Sequence, residues 1–218
     1  MIKTVIFDFG GTLLGAPDLF RMMAEQFYEN EVNKNTLYDS LKTNFMTQYK
    51  SMSSDLAEFK NLVETICCTL ADIFPNFMLR DLKDKAKQIQ YDTFLYKSFI
   101  YGDTIETLDY LQNKQIELLV ASDADSEILY LELEKYNLTK YFCKLFISEE
   151  LRAYKPSWRF VESIKSQLSF KPNETIFIGD SDVDIITGKR LGVYTVLKSD
   201  TKKGDIDADY VIPNLKQL

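Results

Sequence analysis

The sequence predicts an α/β fold in which a doubly wound parallel sheet is interrupted, just after its first strand, by an inserted all-α segment. Three observations lead to this prediction. An apolar run lies at residues 5–7, and helical periodicity alone fills the stretch from Leu14 to about Ser98. From Gly102 to the C-terminus, strand and helix patterns alternate. Such alternation places helices on both faces of a parallel sheet.

The first strand, over residues 5–7, leads directly into the insertion. Within the insertion, apolar residues recur three or four positions apart, as they do from Leu62 to Ile73. Turn-forming residues mark its two ends, Gly15-Ala16-Pro17 on entry and Tyr101-Gly102-Asp103 near the return. We therefore predict a core domain over residues 1–14 and 100–218 and an all-α cap domain over residues 15–99.

The core elements after the insertion follow in alternating order. Amphipathic stretches predict helices, and short apolar runs predict strands. The predicted helices cover residues 105–111, 126–136, 158–168 and 182–191, and the predicted strands cover residues 117–121, 145–147, 175–178, 193–197 and 210–212. The order of these elements predicts a single parallel sheet.

The end of the first strand carries a candidate reactive group. Asp8 follows the strand, and the segment Phe9-Gly10-Gly11-Thr12 comes next. Ligands of open parallel sheets collect at the carboxyl ends of the strands. Two glycines allow a tight turn whose backbone N–H groups can face an anion. The sequence therefore predicts an anion site at Asp8.

Three later segments place further chemistry at strand ends or in loops. Ser122 and Asp123 end the strand over residues 117–121, and Lys155 precedes a proline in a loop. The run Gly179 to Asp184 contains three carboxylates within five residues, at Asp180, Asp182 and Asp184. Like charges at this density cost stability unless a cation neutralises them, and carboxylate oxygens suit Mg²⁺.

Taken in order, Asp8-x-Gly10-x-Thr12, Ser122, Lys155 and Asp180-x-x-x-Asp184 resemble the four motifs of the haloacid dehalogenase-like hydrolase superfamily. The resemblance extends over the whole chain, because the order, spacing and strand placement of all four motifs match. It implies the Rossmann-like core of that superfamily, with the inserted helical cap of its C1-capped phosphatase branch. The implied activity is Mg²⁺-dependent hydrolysis of a small phosphorylated metabolite.

The resemblance also implies a role for each motif residue. Asp8 is the expected nucleophile, which forms an aspartyl phosphate, and Lys155 is expected to neutralise charge on Asp8 and on the phosphate. The implied metal ligands are Asp8, the backbone carbonyl of Gly10, and Asp180, with Asp184 orienting this group or adding to it. The implied substrate-binding residues are Phe9, Gly10, Gly11, Thr12, Ser122, Asp123 and Lys155.

Gly10 departs from the usual pattern of the resembling phosphatases. Most of them carry a second aspartate at this position, which protonates the leaving group and then activates water. A positioned general acid or base contributes about 10²–10⁴-fold to the rate. The expectation is therefore an assembled site that lacks one proton-transfer group.

Other functions remain open because of Gly10. One is a catalytically weak or inactive protein that binds phosphate. Another is a phosphonate-cleaving enzyme that uses a cap lysine, for which Lys34, Lys42, Lys50 and Lys60 are available. A third is a metal-independent dehalogenase, although the run of acids from Asp180 to Asp184 argues against it.

Composition narrows the classes of function further. The 218 residues contain no histidine, which excludes Ser-His and Cys-His nucleophile systems and histidine zinc sites. Three cysteines form no disulfide framework, so a reducing, cytoplasmic location is expected. The net charge of −7 disfavours nucleic acid as a partner. The apolar runs are too short for a membrane span, and the expected state is a monomer or homodimer.

The substrate cannot be predicted from the motifs, because cap side chains form the other half of the pocket. Arg21 is expected on a solvated helix face, and the segment 202–205 is expected to form a surface loop near the mouth of the site. The aromatic residues of the cap are expected mainly to pack within its helical bundle. These residues are Phe20, Phe27, Tyr28, Phe45, Tyr49, Phe59 and Phe74.

Overall fold

The computed structural model describes residues 1–27, 31–55, 58–168, 171–200 and 206–218. The expectations for Tyr28 and for the segment 202–205 fall outside these residues. Within the described residues, no helix combines the length and the apolar character needed to cross a bilayer. The fold class is confirmed, because a parallel sheet flanked by helices carries an inserted helical segment.

Six parallel strands form the sheet. They are β1 (Thr4–Phe7), β4 (Glu117–Ser122), β5 (Lys144–Ile147), β6 (Thr175–Gly179), β7 (Tyr194–Lys198) and β8 (Tyr210–Ile212). Their order across the sheet is β5-β4-β1-β6-β7-β8. The first strand therefore lies between β4 and β6, with Phe7 paired with Val120 on one side and with Ile178 on the other. This is the position where the strand order reverses and where ligands bind in doubly wound sheets.

Side chains of β1 alternate between two apolar layers. Val5 and Phe7 pack on one face with residues of α5 (Thr104–Asn113) and α6 (Ser126–Lys135). Ile6 packs on the opposite face, mainly with α8 (Trp158–Gln167) and with the end of α9 (Asp182–Leu191). A short helix, α7 (Ser148–Leu151), follows β5 and was not predicted. Because both faces of β1 are covered, the carboxyl end of the strand is the part that remains open to ligands.

The inserted segment contains four helices, α1 (Leu19–Glu25), α2 (Glu31–Met52), α3 (Leu62–Ile73) and α4 (Leu79–Gln90), followed by a π-helical stretch over Tyr91–Tyr96. Met23, Leu41, Ile66 and Ile89 are fully buried in an apolar cluster of its own. Local caps set two of the helix starts. Asp18 accepts from the N–H of Arg21, and Asn61 forms a reciprocal capping box with Glu64.

The insertion joins the sheet through a two-stranded antiparallel ribbon that was not predicted. It consists of β2 (Leu14–Gly15) and β3 (Phe99–Ile100), with Leu14 paired with Ile100. The entering and leaving chains are thus hydrogen-bonded to each other. Two-residue strands carry no detectable periodicity, which explains why the sequence pattern shows only turns here.

Candidate active site

Lys155 lies between two aspartates at the carboxyl end of β1. Its Nζ atom is 2.7 Å from Asp8 Oδ1 and 2.6 Å from Asp184 Oδ1, and it also donates to the carbonyl oxygen of Ala121 at 3.0 Å. All three charged side chains are buried. The ammonium therefore has three acceptors, which hold it beside Asp8 in one orientation.

Burial and neighbouring charges shift the pKa values of Asp8 and Lys155. Burial and the charge of Asp184 raise the pKa of Asp8 to about 8, against the opposing effect of Lys155. Burial lowers the pKa of Lys155, but the charges of Asp184 and Asp8 outweigh it and raise that pKa above its ordinary value. Lys155 is therefore a permanent cation in this site. A further cation near Asp8 would favour its ionised, nucleophilic form.

Asp8, Asp180 and Asp184 form the acidic cluster that a metal ion would require. One carboxylate oxygen from each residue lies within 4.8 Å of the others. The Asp184 carboxylate is also engaged in hydrogen bonds, because its Oδ1 accepts from Lys155 and its Oδ2 accepts from the N–H and hydroxyl of Ser181. Both oxygens of the Asp184 carboxylate are thus held in place by hydrogen bonds from Lys155 and Ser181. These hard oxygen donors fit Mg²⁺.

Two residues of the loop after Asp8 form hydrogen bonds within the protein. Thr12 is fully buried and its hydroxyl donates to Asp8 Oδ2 at 3.0 Å, so this hydroxyl orients the carboxylate. The N–H of Gly11 donates to the carbonyl of Leu14 at 2.7 Å. Gly11 has φ +85°, and a Cβ there would lie 2.6 Å from the Asp180 carboxyl group. Glycine is thus required at position 11 for backbone conformation and close approach.

Ser122 and Asp123 lie where β4 ends, beside the loop of Asp8. Both contribute to the wall of the same cavity as Asp8, together with Phe9 and Gly10. Asp123 Oδ1 accepts from the backbone N–H of Lys155 at 3.0 Å. Its Oδ2 accepts from the hydroxyl of Tyr49 at 2.5 Å. Burial raises the pKa of Asp123 to about 6, while Lys155 and Tyr49 favour its charged form.

Tyr49 is therefore a site residue that sequence reasoning missed. It belongs to α2 of the insertion and was grouped with the cap aromatic residues that were expected mainly to pack within that bundle. Its ring does contact Phe45, but its hydroxyl reaches the sheet. No local pattern in the sequence connects Tyr49 with Asp123, which is 74 residues away.

A second carboxylate of the core contacts the insertion through backbone groups. Asp125 is buried and accepts from the N–H groups of Leu62 and Val63, at 2.7 and 3.2 Å, and from the side-chain amide of Gln90 at 2.7 Å. Leu62 and Val63 begin α3. A carboxylate at a helix N-terminus is stabilised by unpaired N–H groups and by the helix dipole. Asp125 thus anchors α3 on the core.

The cluster around Asp8 forms the floor of a cavity of about 550 Å³. Beyond the motif residues, its walls come from both the sheet side and the insertion. They include Leu14, Leu19, Met46, Tyr49, Leu62, Gln90, Phe94, Asp125, Ile128 and Glu132. A volume of this size is typical of small-molecule sites. These additional wall residues were not predicted as site residues, since most of them become neighbours only through the packing of the insertion on the core.

The family model for haloacid dehalogenase-like hydrolases matches residues 5–198. The chain belongs to the haloacid dehalogenase-like hydrolases. This match includes the positions of all four motifs and the inserted helices. Membership confirms the resemblance inferred from Asp8, Ser122, Lys155 and the Asp180–Asp184 run.

Individual members of this family resemble the chain over nearly its full length. Pyrophosphatase PpaX of Oceanobacillus iheyensis is 24% identical over 223 residues, which span 100% of this chain and 95% of that protein. Among solved structures, the magnesium-bound hydrolase YfnB of Bacillus subtilis aligns with TM-score 0.77 and 18% identity, covering 99% of this chain and 96% of that one. The crystal structure of YfnB revealed interdomain movement in that protein. L-2-haloacid dehalogenase of Xanthobacter autotrophicus aligns with TM-score 0.73 and 18% identity, with 99% and 96% coverage.

Proposed function

We propose that this haloacid dehalogenase-like hydrolase is a Mg²⁺-dependent phosphomonoester hydrolase that acts on a small phosphorylated metabolite. The observation that carries the proposal is the buried Asp8 carboxylate. It is held 2.7 Å from Lys155, beside Asp180 and Asp184, on the floor of a cavity between the sheet and the insertion. A nucleophile, a cation and a set of hard oxygen donors are what in-line attack on a phosphate requires.

The proposed reaction has two steps at Asp8. In the first, a carboxylate oxygen of Asp8 forms a bond to phosphorus while the bond from phosphorus to the ester oxygen breaks and the alcohol leaves. In the second, water attacks phosphorus, releases inorganic phosphate and restores the Asp8 carboxylate. Lys155 balances negative charge in both steps, and Thr12 holds the second oxygen of Asp8 in place. Ser122 is proposed to contact phosphoryl oxygens from the end of β4.

Three groups are proposed to hold Mg²⁺, namely the carboxylates of Asp8 and Asp180 and the backbone carbonyl of Gly10. When bound, Mg²⁺ would supply charge neutralisation between nucleophile and phosphate. The hydrogen bonds of Asp184 to Lys155 and Ser181 support a role in orienting these neighbours.

Gly10 lowers the expected rate of this reaction. Because glycine has no side-chain acid, the leaving alkoxide must take its proton from solvent or from another group. A loss of about 10²–10⁴-fold relative to an enzyme with a positioned acid is expected for alkyl esters. Asp123 and Asp182 border the same cavity and are the candidate carboxyl groups to compensate in part.

A second candidate substrate is inorganic pyrophosphate, which is favoured by the similarity to the pyrophosphatase PpaX. The same nucleophile and cation could attack its phosphorus. The dehalogenase alternative, favoured by the fold of the Xanthobacter enzyme, is weakened by the acidic cluster, which repels a carboxylate substrate unless a cation is bound.

The test compares phosphate release from 4-nitrophenyl phosphate with Mg²⁺, after chelation, and after chelation followed by excess Mg²⁺. We expect release only when Mg²⁺ is present, loss of release in Asp8→Asn, and little change in Asp84→Asn, which removes an exposed carboxylate of α4. Acid-quenched protein should carry a phosphoryl group on the peptide that contains Asp8. Release that persists after chelation or in Asp8→Asn contradicts the proposal. Binding of Mg²⁺ without release from any ester would favour a phosphate-binding protein.

Two further assignments belong to this proposal. We propose that residues 15–99 act as a cap, which closes over Asp8 and excludes water from the reaction. The cytoplasmic location expected from composition also remains a proposal.

A further inference from the structure

The part of the cavity away from Asp8 has an unusual chemical character for a phosphate-binding enzyme. Its apolar wall consists of side chains such as Met46, Phe94 and Ile128. Its polar wall comes from Gln90, Asp125 and Glu132. Among the described residues that line the whole cavity, seven carry carboxylates and Lys155 is the single cation. Arg21, the cap cation near the entry loop, is not among these lining residues.

Glu132 is placed to contact the leaving group and not the phosphate. It lies on α6, on the same face as Asp125 and Ile128, because residues three and four positions apart are neighbours on a helix. The seven residues from Asp125 to Glu132 correspond to about 10 Å along the helix axis. Glu132 is 7% exposed although it borders the cavity. Its carboxyl group is thus set two helical turns away from the sheet edge.

The polar groups around Glu132 favour hydrogen bonding over charge pairing. Burial raises the pKa of Glu132 to about 8, while the Ser98 hydroxyl and the Lys135 ammonium favour its charged form. Lys135 itself donates to the carbonyl of Leu95 at 2.5 Å. Gln90 gives its side-chain N–H to Asp125, which orients the carboxamide. Glu132 is thus a buried carboxyl group on the cavity wall, and its polar neighbours are the Ser98 hydroxyl and the Lys135 ammonium.

A second phosphate in this region would meet the carboxyl groups of Asp125 and Glu132, the apolar side chains, and a Gln90 carboxamide whose N–H is already donated to Asp125. Burial of an anion without a partner is costly, and nearby carboxylates add repulsion. An uncharged alcohol with an apolar body would instead pack against the side chains of Phe94 and Ile128. An N–H or O–H donor on that body would form a hydrogen bond with the Glu132 carboxyl group.

We propose that Glu132, together with Gln90, forms a specificity subsite that selects phosphate esters of partly apolar, uncharged or cationic alcohols bearing an N–H or O–H donor, and that disfavours substrates with a second phosphate. This inference rests on the proposed phosphomonoesterase function.

The experiment measures kcat/KM for three probes in the full chain with Mg²⁺, namely 2-phenylethyl phosphate, 2-(4-hydroxyphenyl)ethyl phosphate and 1,4-butanediol bisphosphate, whose second phosphate extends toward Glu132. We expect the hydroxylated ester to exceed the plain ester by about tenfold, as one hydrogen bond to a buried acceptor predicts. The bisphosphate should be poorer than either ester by about 100-fold or more. Equal or better turnover of the bisphosphate overturns the inference.

Variants then assign the selectivity to Glu132. Glu132→Leu should remove the preference for the hydroxylated ester, measured as the ratio of the two kcat/KM values. Glu132→Lys should raise kcat/KM for the bisphosphate relative to the plain ester by about tenfold or more. The matched control is Glu134→Lys, an exposed position on the same helix, which should leave both ratios unchanged. Ratios that move equally in the control, or in neither Glu132 variant, contradict the proposal.

A binding measurement keeps this test independent of turnover. Thermal stabilisation is recorded with 2-(4-hydroxyphenyl)ethylphosphonate and with butane-1,4-bisphosphonate, which cannot be hydrolysed. If 4-nitrophenyl phosphate is not hydrolysed, the proposed function fails. The subsite is still supported if the first phosphonate stabilises the chain more strongly and Glu132→Lys reverses the order, and it is refuted if the bisphosphonate stabilises the wild type more strongly.

Discussion

The two adjacent glycines after Asp8 have opposite tolerance for a side chain. A Cβ built on Gly10 meets no atom within 4 Å, whereas a Cβ on Gly11 would lie 2.6 Å from Asp180, at a φ of +85°. An acidic side chain therefore fits at position 10 but not at position 11. The missing proton donor is therefore a property of the residue type at position 10 and not of the backbone.

The first prediction is that Gly10→Asp raises turnover of an alkyl phosphate by about 10²-fold. The gain should be much smaller for 4-nitrophenyl phosphate, because its leaving group departs without protonation. Steady-state rates of both proteins on both esters provide the measurement. The control is Gly11→Asp, which should lose activity and Mg²⁺ binding through its collision with Asp180. No gain from Gly10→Asp, with an ordinary native turnover on the order of 10 s⁻¹, would indicate that another group already acts as the acid.

The second prediction concerns Asp180. Asp180→Asn should weaken Mg²⁺ binding by about tenfold or more, because a neutral amide replaces a charged oxygen ligand. Folding should be affected little, because the substitution removes one of the like charges that raise the pKa of Asp8. Calorimetric titration with Mg²⁺ and a thermal melt measure the two effects. Asp182→Asn, an exposed neighbour, serves as the control, and equal losses of affinity in both variants would reject a specific ligand role.

Residues of the site differ in how far the sequence could predict them. Asp8, Lys155 and Asp180 stand in short motifs next to strands, so their placement followed from local patterns. The hydrogen bond from the Thr12 hydroxyl to Asp8 could not be predicted, because a motif does not determine a rotamer. Glu132 lies on an amphipathic helix where a buried acid has no local signature.

At the level of secondary structure, the docking of α3 depends on Asp125. The backbone N–H groups of Leu62 and Val63 have this carboxylate as their partner, and Gln90 at the end of α4 shares it. One buried side chain of the core thus holds the beginning of one helix and the end of another. Loss of its second acceptor oxygen should therefore loosen both.

The third prediction is that Asp125→Asn lowers the free energy of unfolding by about 1–3 kcal/mol. Amide hydrogen exchange should accelerate at Leu62 and Val63 with little change in α9, since the loss is local to the docked helix. Glu134→Gln, an exposed carboxyl on α6, should change neither quantity. Unaltered exchange at Leu62 in the Asp125 variant would show that α3 is held mainly by its apolar face.

Elements were predicted more completely than their connections. The last strand over residues 210–212 and the parallel arrangement follow from apolar runs and alternation, and the structure confirms them. The ribbon of β2 and β3 escaped prediction because its partners are brought together only by the folded insertion. The short helix α7 contains a single turn, which is too short for a periodic signal.

At the scale of the whole molecule, the insertion and the sheet domain meet through hydrogen bonds and through a small apolar cluster of Met52, Phe59 and Tyr154. The insertion buries its own cluster, and contacts to the sheet include Tyr49 with Asp123, the docking of α3 on Asp125, and the hydroxyl of Tyr154 with the carbonyl of Lys60. Such boundaries separate more readily than large apolar interfaces. We therefore expect the two parts to move relative to each other as units.

The fourth prediction is that a phosphate analogue with Mg²⁺ shifts the chain toward a more compact average shape. The rotation should occur about the segments 14–17 and 98–103, where the paired strands β2 and β3 connect the two parts. Small-angle scattering with and without the analogue measures the change. Tyr49→Phe should leave a larger open fraction in the absence of ligand, because it removes the hydrogen bond to Asp123. Identical scattering curves under all conditions would indicate a rigid cap.

Because β2 pairs with β3, the insertion could be removed or replaced as a unit without changing the path of the sheet strands. Gly15 and Phe99 are paired neighbours, so the chain leaves the sheet and returns to it at almost the same point. A hairpin turn of two residues could join them if everything between were excised. The strands that carry Asp8, Ser122 and Asp180 would keep their order in the sheet after such an excision. A foreign helical module grafted at this point would therefore replace the walls around the leaving group while retaining the chemistry at phosphorus.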